Sequence, residues 1–277
     1  MLERRSINSE PELDAAEAAA AVLESRAAPR VAADFPVELH GSAFKSPLPA
    51  QVRDISTGGL CVATASQVAL DSLRGVTLNL PQGRLRFKVE GKWQTNQSLD
   101  DSVLTGAVFD GLMPAQLASL WDVVEKTSRD VAGFVYASLK DEGAGLDDAM
   151  SIAQTTRTRV VPRGRFLYQR HQPPAPSDDS IFIVRHGSVE MLVPVRGGQE
   201  MRLGKLGPGS LIGGMGSVAG MLPLESVQTN EETSLLEVSR SAFSYLRVAK
   251  PLLAHWLGQI VMSAHLRRID EVVSRLA

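Results

Sequence analysis

Cysteine and long apolar segments are what this sequence has least of. Its one cysteine, Cys61, has no partner for an intramolecular disulfide, and it lies in an apolar strand pattern that suits a small core residue. No apolar run approaches the roughly 18–20 residues of a membrane-spanning helix, and no apolar segment typical of a signal peptide follows the first residues. We therefore expect a cytoplasmic protein that does not insert into a membrane.

An excess of one charge is also absent, because 29 lysines and arginines nearly balance 31 aspartates and glutamates. That balance does not favour non-specific binding to nucleic acid. The sequence further lacks a Walker A motif, a dinucleotide-binding G-x-G-x-x-G after a strand and a zinc-binding H-E-x-x-H. The five histidines show no metal-ligand spacing. We expect no catalytic residues, no metal and no cofactor, and hence a protein that is not an enzyme.

What the sequence does contain is two sets of strand-like segments, in a chain of 277 residues that is long enough for two domains. In the first set, six runs of alternating apolar and polar residues are separated by Gly, Pro or Asp. These runs cover 36–44, 49–56, 58–64, 75–80, 84–95 and 103–110. With a predicted helix at about 114–139, they predict a six-stranded β-barrel with a closing helix over 26–140.

A polar, glycine-containing linker at 141–145 separates this unit from a second one at 146–277. The second unit is predicted to start with a short helix, to continue as short strands as far as Val238, and to end in helices at about 240–248 and 251–276. The predicted fold class is therefore mainly β, with a second, jelly-roll barrel that carries terminal helices.

The first motif that carries chemistry is R-x-x-x-R, formed by Arg26 and Arg30 directly after an acidic, Ala-rich segment at 1–25. That segment is predicted to form a helical arm that is too poor in large apolar residues to fold alone. Pro29 disfavours helix in the residue before it, so both arginines are expected on an extended segment. A guanidinium binds phosphate oxygens, stacks on aromatic rings and reads the O6/N7 edge of guanine.

The second motif is D-x-S-x-x-G, formed by Asp54, Ser56 and Gly59 at the end of a predicted strand. Asp54 and Ser56 are two residues apart, so they share one face of that strand and offer hydrogen-bonding groups there. Gly58 and Gly59 are able to adopt positive φ and to admit a ligand close to the backbone. Either motif alone is common in proteins without a ligand; together they indicate a flat, anionic ligand with purine edges.

The pair resembles the signature of the PilZ domain, a bacterial receptor for cyclic di-GMP, with all five signature positions in the family's order. The six predicted strands and the closing helix fit the same family, and 106–109 is similar to its last barrel strand. The resemblance implies that the two arginines bind guanine and phosphate and that the second motif lines the bound dinucleotide. The implied cyclic di-GMP site consists of Arg26, Arg30, Asp54, Ser56, Gly58 and Gly59.

The second unit resembles the cyclic nucleotide-binding domain of the Crp-type regulators. The resemblance is carried by 161–168, by 180–190 and by 206–213, the last of which is similar to the start of the family's phosphate-binding cassette. In that family, the cassette provides a glutamate that holds the ribose hydroxyl and an arginine that pairs with the cyclic phosphate. The resemblance thus implies a second jelly-roll barrel of nucleotide-sensor type.

The cassette of this chain departs from the family pattern at both ligand-binding positions. Gly214 takes the glutamate position, and Pro223 takes the arginine position. Glu225 adds a negative charge near the expected phosphate, which is unfavourable in a semi-enclosed pocket. Binding of cAMP or cGMP is therefore expected to be weak or absent. The rival view is that backbone N–H groups of the cassette still cradle an anion. The reduced pocket would consist of Gly213, Gly214, Met215, Ser217, Glu225 and Ser226.

The last predicted helix has a long apolar stripe. Its members recur at helical spacing and are Leu253, Trp256, Leu257, Ile260, Val261, Ala264, Ile269, Val272, Val273 and Leu276. Such a stripe either packs within its own domain or, as in the Crp-type family, forms the seam of a homodimer, and we favour the homodimer. No helix-turn-helix follows this helix in the sequence, so direct DNA binding is not expected.

Together these features predict a cyclic di-GMP receptor that regulates a protein partner, which the sequence does not identify. Ligand phosphates would neutralise the two arginines, fold the arm onto the barrel and so change the surface offered to that partner. Two alternatives stay open. One is a dual sensor of cyclic di-GMP and a cyclic mononucleotide with coupled sites, and the other is an interaction scaffold that works independently of nucleotides.

Overall fold

The computed structural model describes residues 30–96, 102–170, 179–194 and 200–276. Arg26 and the predicted arm at 1–25 therefore lie outside the described residues. Within the described ranges the fold is mainly β, as predicted, with two β domains that follow one another along the chain.

The first domain is a closed barrel of six antiparallel strands with an additional short strand at its edge. Its strands are β1 (Val31–Ala32), β2 (Pro36–Gly41), β3 (Leu48–Ile55), β4 (Gly59–Thr64), β5 (Leu73–Leu80), β6 (Gly83–Asn96) and β7 (Val103–Asp110). The sheet order β3-β2-β5-β6-β7-β4 closes through the pairing of β3 with β4. The alternating pattern explains this barrel, because one set of side chains fills its interior, including Leu39, Val52, Leu78, Phe87 and Phe109.

Strand β1 was not among the predicted strands, because two residues are too short to show a period. It pairs with the second half of β3, with Val31 opposite Ile55 and Ala32 opposite Asp54. The first half of β3 pairs on the same edge with β2. Strands β1 and β2 thus lie one after the other along the same edge of β3. This arrangement brings the segment after the R-x-x-x-R motif to the end of β3.

The closing helix α1 (Pro114–Leu139) belongs to the cores of both domains. Its proline at the first helical position suits a helix start, since that N–H would have no helical partner. The first half of α1 packs Leu120, Val123 and Val124 into the barrel core. The second half buries its apolar face in a different cluster, formed by residues of the second domain.

The second domain is a jelly roll of two four-stranded sheets. Its elements are α2 (Leu146–Ala153), β8 (Arg157–Val161), β9 (Phe166–Tyr168), β10 (Ile181–His186), β11 (Val189–Pro194), β12 (Glu200–Leu206), β13 (Leu211–Gly213), α3 (Met215–Ala219), β14 (Ser226–Thr229), β15 (Thr233–Val238), α4 (Arg240–Ala249) and α5 (Pro251–Leu276). One sheet has the order β13-β10-β15-β8 and the other β12-β11-β14-β9. The predicted barrel with terminal helices is confirmed.

Candidate functional site

Arg30 and Asp54 form an ion pair at the end of the first barrel, where β1 meets β3. Arg30 Nη1 donates a hydrogen bond to Asp54 Oδ1 at 2.8 Å, and the two side chains are 23% and 12% exposed. The pairing of β1 with β3 explains the contact, since the residue before β1 must lie beside the end of β3. A partly exposed ion pair of this kind can exchange partners with an anion from solution without a large desolvation penalty.

Ser56 holds the turn between β3 and β4. Its hydroxyl oxygen accepts hydrogen bonds from the backbone N–H groups of Gly58 and Gly59, each at 3.2 Å. Its own N–H donates to the carbonyl of Gly59 at 2.8 Å, and the residue is almost fully buried. In this structure Ser56 therefore shapes the turn that carries the site.

The two glycines of this turn do not have the backbone conformation that we expected. Neither Gly58 nor Gly59 adopts positive φ. Gly59 is required for another reason, because a Cβ there would lie 2.4 Å from the carbonyl oxygen of Ala107 on β7. Gly58 has room for a side chain, with Ser56 Oγ as the nearest atom at 3.9 Å. The open space at Gly58 fits the expected close approach of a ligand, whereas Gly59 lets β4 approach β7.

Cys61 lies on β4, directly opposite Asp54 of β3. It packs with Ala63 and Leu104 in a small apolar cluster that is separate from the barrel core. Burial, with a further contribution from the charge of Asp54, raises the pKa of the thiol well above its usual range. The thiol stays protonated and is not a reactive group.

The structure thus brings together all the predicted first-site residues that it describes. Arg30, Asp54, Ser56, Gly58 and Gly59 meet at one end of β3 and β4. A further arginine, Arg53, lies next to them and pairs with Asp34 at 3.5 Å. Sequence reasoning missed this second pair, because neither residue belongs to a recognisable motif.

The cassette of the second domain is closed. Its glycines Gly213 and Gly214 adopt positive φ and lead into the short helix α3. The cavity that they line with Met215 and Tyr168 measures about 10 Å³, which is about the space of one water molecule. The carboxylate of Asp179 lies against α3, where it accepts a hydrogen bond from Ser217 Oγ at 3.0 Å. An internal anion therefore already lies at the segment whose N–H groups, in the rival view, would cradle one.

Glu225 is the centre of a buried polar cluster that joins the cassette to the last helix. Its Oε1 accepts a hydrogen bond from the Tyr168 hydroxyl at 2.9 Å and lies 3.1 Å from His265 Nδ1. The second ring nitrogen of His265 lies 3.2 Å from the carbonyl oxygen of Gly213. The ring of His265 thus lies between the Glu225 carboxylate and the backbone of the cassette.

This cluster keeps Glu225 ionised although the residue is only 6% exposed. Burial alone would raise the pKa of the carboxyl, but the hydrogen bonds from His265 and Tyr168 and the charge of Arg268 outweigh burial and lower it. For Tyr168, burial and then the charge of Glu225 raise the pKa of the hydroxyl well above its ordinary value. Glu225 is thus the negative group of the cassette, held by the protein's own donors. Ser226 is engaged as well, since its hydroxyl accepts from the N–H of Arg170 at 3.0 Å.

A larger cleft of about 520 Å³ lies next to this cluster, between α5 and the strands β11 and β12. Its floor is apolar and includes Met191, Leu206 and Ile260, and its basic residues are Lys205, Arg267 and Arg268. The side chain of Arg268 is only 12% exposed. It donates through Nη2 to the carbonyl of Leu211.

The apolar stripe of α5 packs largely within its own domain. Leu253, Leu257, Ile260 and Val261 are buried in the cluster that also contains the second half of α1, and Ala264 is buried as well. The exposed apolar side chains of α5 are instead Leu252, Leu266 and Ile269. The predicted stripe members Val272, Val273 and Leu276 lie outside the described side chains. Most of the stripe therefore has the intramolecular role that was the alternative to a dimer seam.

Among the residues that the structure describes, no group of three or more His, Cys, Asp or Glu side chains is arranged to hold a metal ion. No helix in the same ranges is both long enough and apolar enough to cross a bilayer.

Comparison with known proteins places both domains in families. Residues 24–126 match the PilZ domain, and residues 158–248 match the cyclic nucleotide-binding domain. These are regulatory, non-catalytic domains. No curated protein has a significantly similar sequence.

Solved structures that resemble the chain are cyclic nucleotide-binding proteins with low sequence identity. A cyclic nucleotide-binding domain from Methylobacillus flagellatus is 18% identical, with a TM-score of 0.46, over 53% of this chain and 83% of that one. The catabolite activator protein of Thermus thermophilus is 24% identical, with a TM-score of 0.41, over 52% of this chain and 62% of that one. The regulatory domain of Toxoplasma gondii PKA, solved with cAMP, is 10% identical, with a TM-score of 0.44, over 84% and 77%.

Since these TM-scores lie below 0.5, the domain assignment depends on the family matches and on the geometry described above. The two matches follow one another along the chain in the order of the two barrels. This chain is a PilZ domain followed by a cyclic nucleotide-binding domain.

Proposed function

We propose that this protein is a cytoplasmic bacterial receptor for cyclic di-GMP. The observation that carries the proposal is the ion pair of Arg30 with Asp54, next to the turn of Ser56, Gly58 and Gly59. A guanidinium matches phosphate oxygens and the O6/N7 edge of guanine. A carboxylate accepts hydrogen bonds from the N–H groups of the same base. Arg26, four residues before Arg30, would supply the second guanidinium.

The ion pair also supplies a mechanism for a switch. Without ligand, Asp54 neutralises Arg30 across a 2.8 Å contact. A dianionic dinucleotide offers Arg30 a competing partner and leaves the carboxylate free to accept from guanine. The new contacts draw the preceding segment with Arg26 onto the barrel, and this changes the surface that is offered to a protein partner. The ligand shifts the equilibrium only by its greater affinity for the folded-arm state.

Calorimetric titration of the full chain with cyclic di-GMP tests the proposal. We expect micromolar or tighter binding, which Arg30→Ala abolishes. Arg86→Ala is the matched control, because Arg86 is an exposed arginine of the same barrel that lies outside the site. The absence of both heat and a stability shift with the unaltered protein would show that the site is not a receptor site. If partner binding were unchanged by the nucleotide and unaffected by Arg30→Ala, an interaction scaffold would then be favoured.

A dual sensor is the second candidate, and the cleft of about 520 Å³ beside α5 is the observation that favours it. Its apolar floor and three cationic side chains suit a nucleotide, although Glu142 and Glu271 also line the cleft and Glu142 pairs with Arg267 at 2.7 Å. Against this stands the cassette, where Glu225 carries the charge that a cyclic phosphate would bring. We propose that cAMP and cGMP bind weakly or not at all. If the two sites are coupled, cAMP changes the affinity for cyclic di-GMP, and cyclic di-GMP changes the affinity for cAMP by the same factor.

We also propose that the exposed apolar side chains of α5 pair two copies of the chain. Leu252 is 85% exposed and Leu266 is 57% exposed, so the chain itself does not cover either side chain. Sedimentation should show a dimer that Leu266→Arg dissociates. Leu146→Arg is the control, since this leucine is similarly exposed on α2. A monomer at all concentrations would contradict the proposal.

A further inference from the structure

The candidate cyclic di-GMP site lies at the junction of the two domains. Strand β1, which follows Arg30 directly, packs Ala32 into the apolar cluster of the second domain together with Ile181 and Leu236. The second domain's strand β8 lies against both β1 and β3. A ligand that binds Arg30 and Asp54 therefore binds next to β8.

The first residue of β8, Arg157, has a guanidinium that is held in a fixed orientation. Its Nε and Nη2 donate to the two carboxylate oxygens of Glu237 at 2.8 and 3.0 Å. Glu237 is completely buried and also accepts from Ser180 Oγ at 2.7 Å. The Arg157 side chain itself is 35% exposed. Among the residues that the structure describes, its remaining nitrogen, Nη1, has no hydrogen-bond partner.

The contacts of β8 with β1 and β3 bring Arg157, the first residue of β8, to the side of the barrel that carries the candidate site. Burial would lower the pKa of Arg157, but the charge and hydrogen bond of Glu237 outweigh burial and raise it, and Cys61 and Asp54 raise it further. Asp54 is the carboxylate that pairs with Arg30. The two arginines, one from each domain, thus act on the same carboxylate.

We propose that Arg157 is a ligand-contacting residue of the cyclic di-GMP site, so that the second domain supplies part of the site. Nη1 and the exposed face of the guanidinium bind a phosphate oxygen or stack on a guanine. Glu237 acts as a positioning residue, because its bidentate contact fixes the plane of the guanidinium before the ligand arrives. This inference rests on the proposed function. It gives the second domain a role in ligand binding that does not depend on its closed cassette.

Titration of the full chain with cyclic di-GMP tests the inference with two variants of Arg157. Glu237 Oε1 also accepts from Nη1 of the buried Arg159 at 3.3 Å. The double variant Arg157→Gln/Glu237→Gln removes the Arg157 guanidinium without leaving a buried, unpaired carboxylate, and the new amide oxygen still accepts from Ser180 and Arg159. Arg157→Lys keeps the ion pair and the fold but removes the planar fork. Arg163→Gln is the control, because this arginine is exposed after β8. The unfolding midpoint of each variant is measured alongside.

Loss of one charge-assisted contact should weaken binding roughly ten- to a hundredfold in the double variant. We expect a several-fold loss for Arg157→Lys and a change within about twofold for Arg163→Gln. If the double variant does not fold, Arg157→Lys decides the question. Wild-type affinity in the Arg157 variants, with binding still lost in Arg30→Ala, would overturn this inference and leave the proposed function intact. Failure of the unaltered protein to bind would overturn both.

Discussion

The candidate ligand sites of the two domains differ in the exposure and the hydrogen bonding of their charged groups. In the first barrel, Arg30 and Asp54 are partly exposed and neutralise each other through one contact. In the second barrel, Glu225 is buried and satisfied by Tyr168 and His265 from two other elements. A shallow ion pair costs little to open, whereas a buried carboxylate cannot lose its donors without a large penalty. Under the proposed function, the first site exchanges its partner for a ligand, whereas the second keeps its own donors.

The sharpest test of this difference is Glu225→Ala. Removal of the carboxylate leaves His265 and Arg268 buried without their anion, and we expect the free energy of unfolding to fall by about 3–5 kcal/mol. Tyr168→Phe removes one donor only and should cost about 0.5–1.5 kcal/mol. Urea denaturation measures both. A change below about 1 kcal/mol for Glu225→Ala would show that the cluster does not fasten α5 to the barrel.

A second test concerns the turn of the first site. Gly59→Ala places a Cβ at 2.4 Å from the Ala107 carbonyl, so β4 must move away from β7, and we expect a loss of about 1–3 kcal/mol. Gly58→Ala is the matched control, because its Cβ meets only Ser56 Oγ at 3.9 Å. Thermal unfolding distinguishes them. Equal midpoints for the two variants would contradict the role assigned to Gly59.

The pH dependence of stability separates the two sites further. The folded-state pKa of Glu225 is lower than its ordinary value of 4.5, so its contribution is complete above about pH 4.5. That contribution is lost as the pH falls through the lower folded-state pKa. Glu225→Gln should therefore flatten the decline of stability with falling pH in this acidic range. An acid limb identical to that of the unaltered protein would mean that other carboxylates, such as Glu237, dominate it.

The smallest expected effect is that of Arg30→Ala on stability. The Arg30 side chain is 23% exposed, and ion pairs of this kind contribute up to about 1 kcal/mol. The same substitution is expected to abolish ligand binding, so a protein that is nearly as stable but no longer binds would confirm that the pair serves recognition. A loss of several kcal/mol would instead make Arg30 a structural residue and remove the contrast between the domains.

The first site could be predicted from the sequence because its chemistry lies in short motifs. Arg30, Asp54, Ser56 and Gly59 meet through one hairpin and one short edge strand. The alternating pattern predicted the barrel strands, although β4 is buried along its whole length because Cys61 and Ala63 pack in a cluster outside the barrel core. The reason for Gly59 was not predictable, since it depends on the approach of β7 from a distant part of the chain.

The second site could be predicted only as a departure from a family pattern. The motif comparison identified Glu225 as a misplaced negative charge, but not the donors that hold it. Tyr168 and His265 lie far from Glu225 in the sequence and come together only through the packing of α5 on the barrel. Single buried polar residues on separate elements leave no periodic signal. The position of Arg157 beside the first site was hidden for the same reason, since it depends on how the domains pack.

The helix α1 determines how the two domains lose their structure. Val131 and Val135, in its second half, are fully buried against the second domain, and each such side chain contributes about 1.5–3 kcal/mol by burial. Unfolding of either core removes the packing partners of one half of this helix. The apolar surface of α1 that the unfolded core had covered then becomes exposed. The chain should therefore denature in a single calorimetric transition, and excision of either domain at the end of its family match would cut through a shared core.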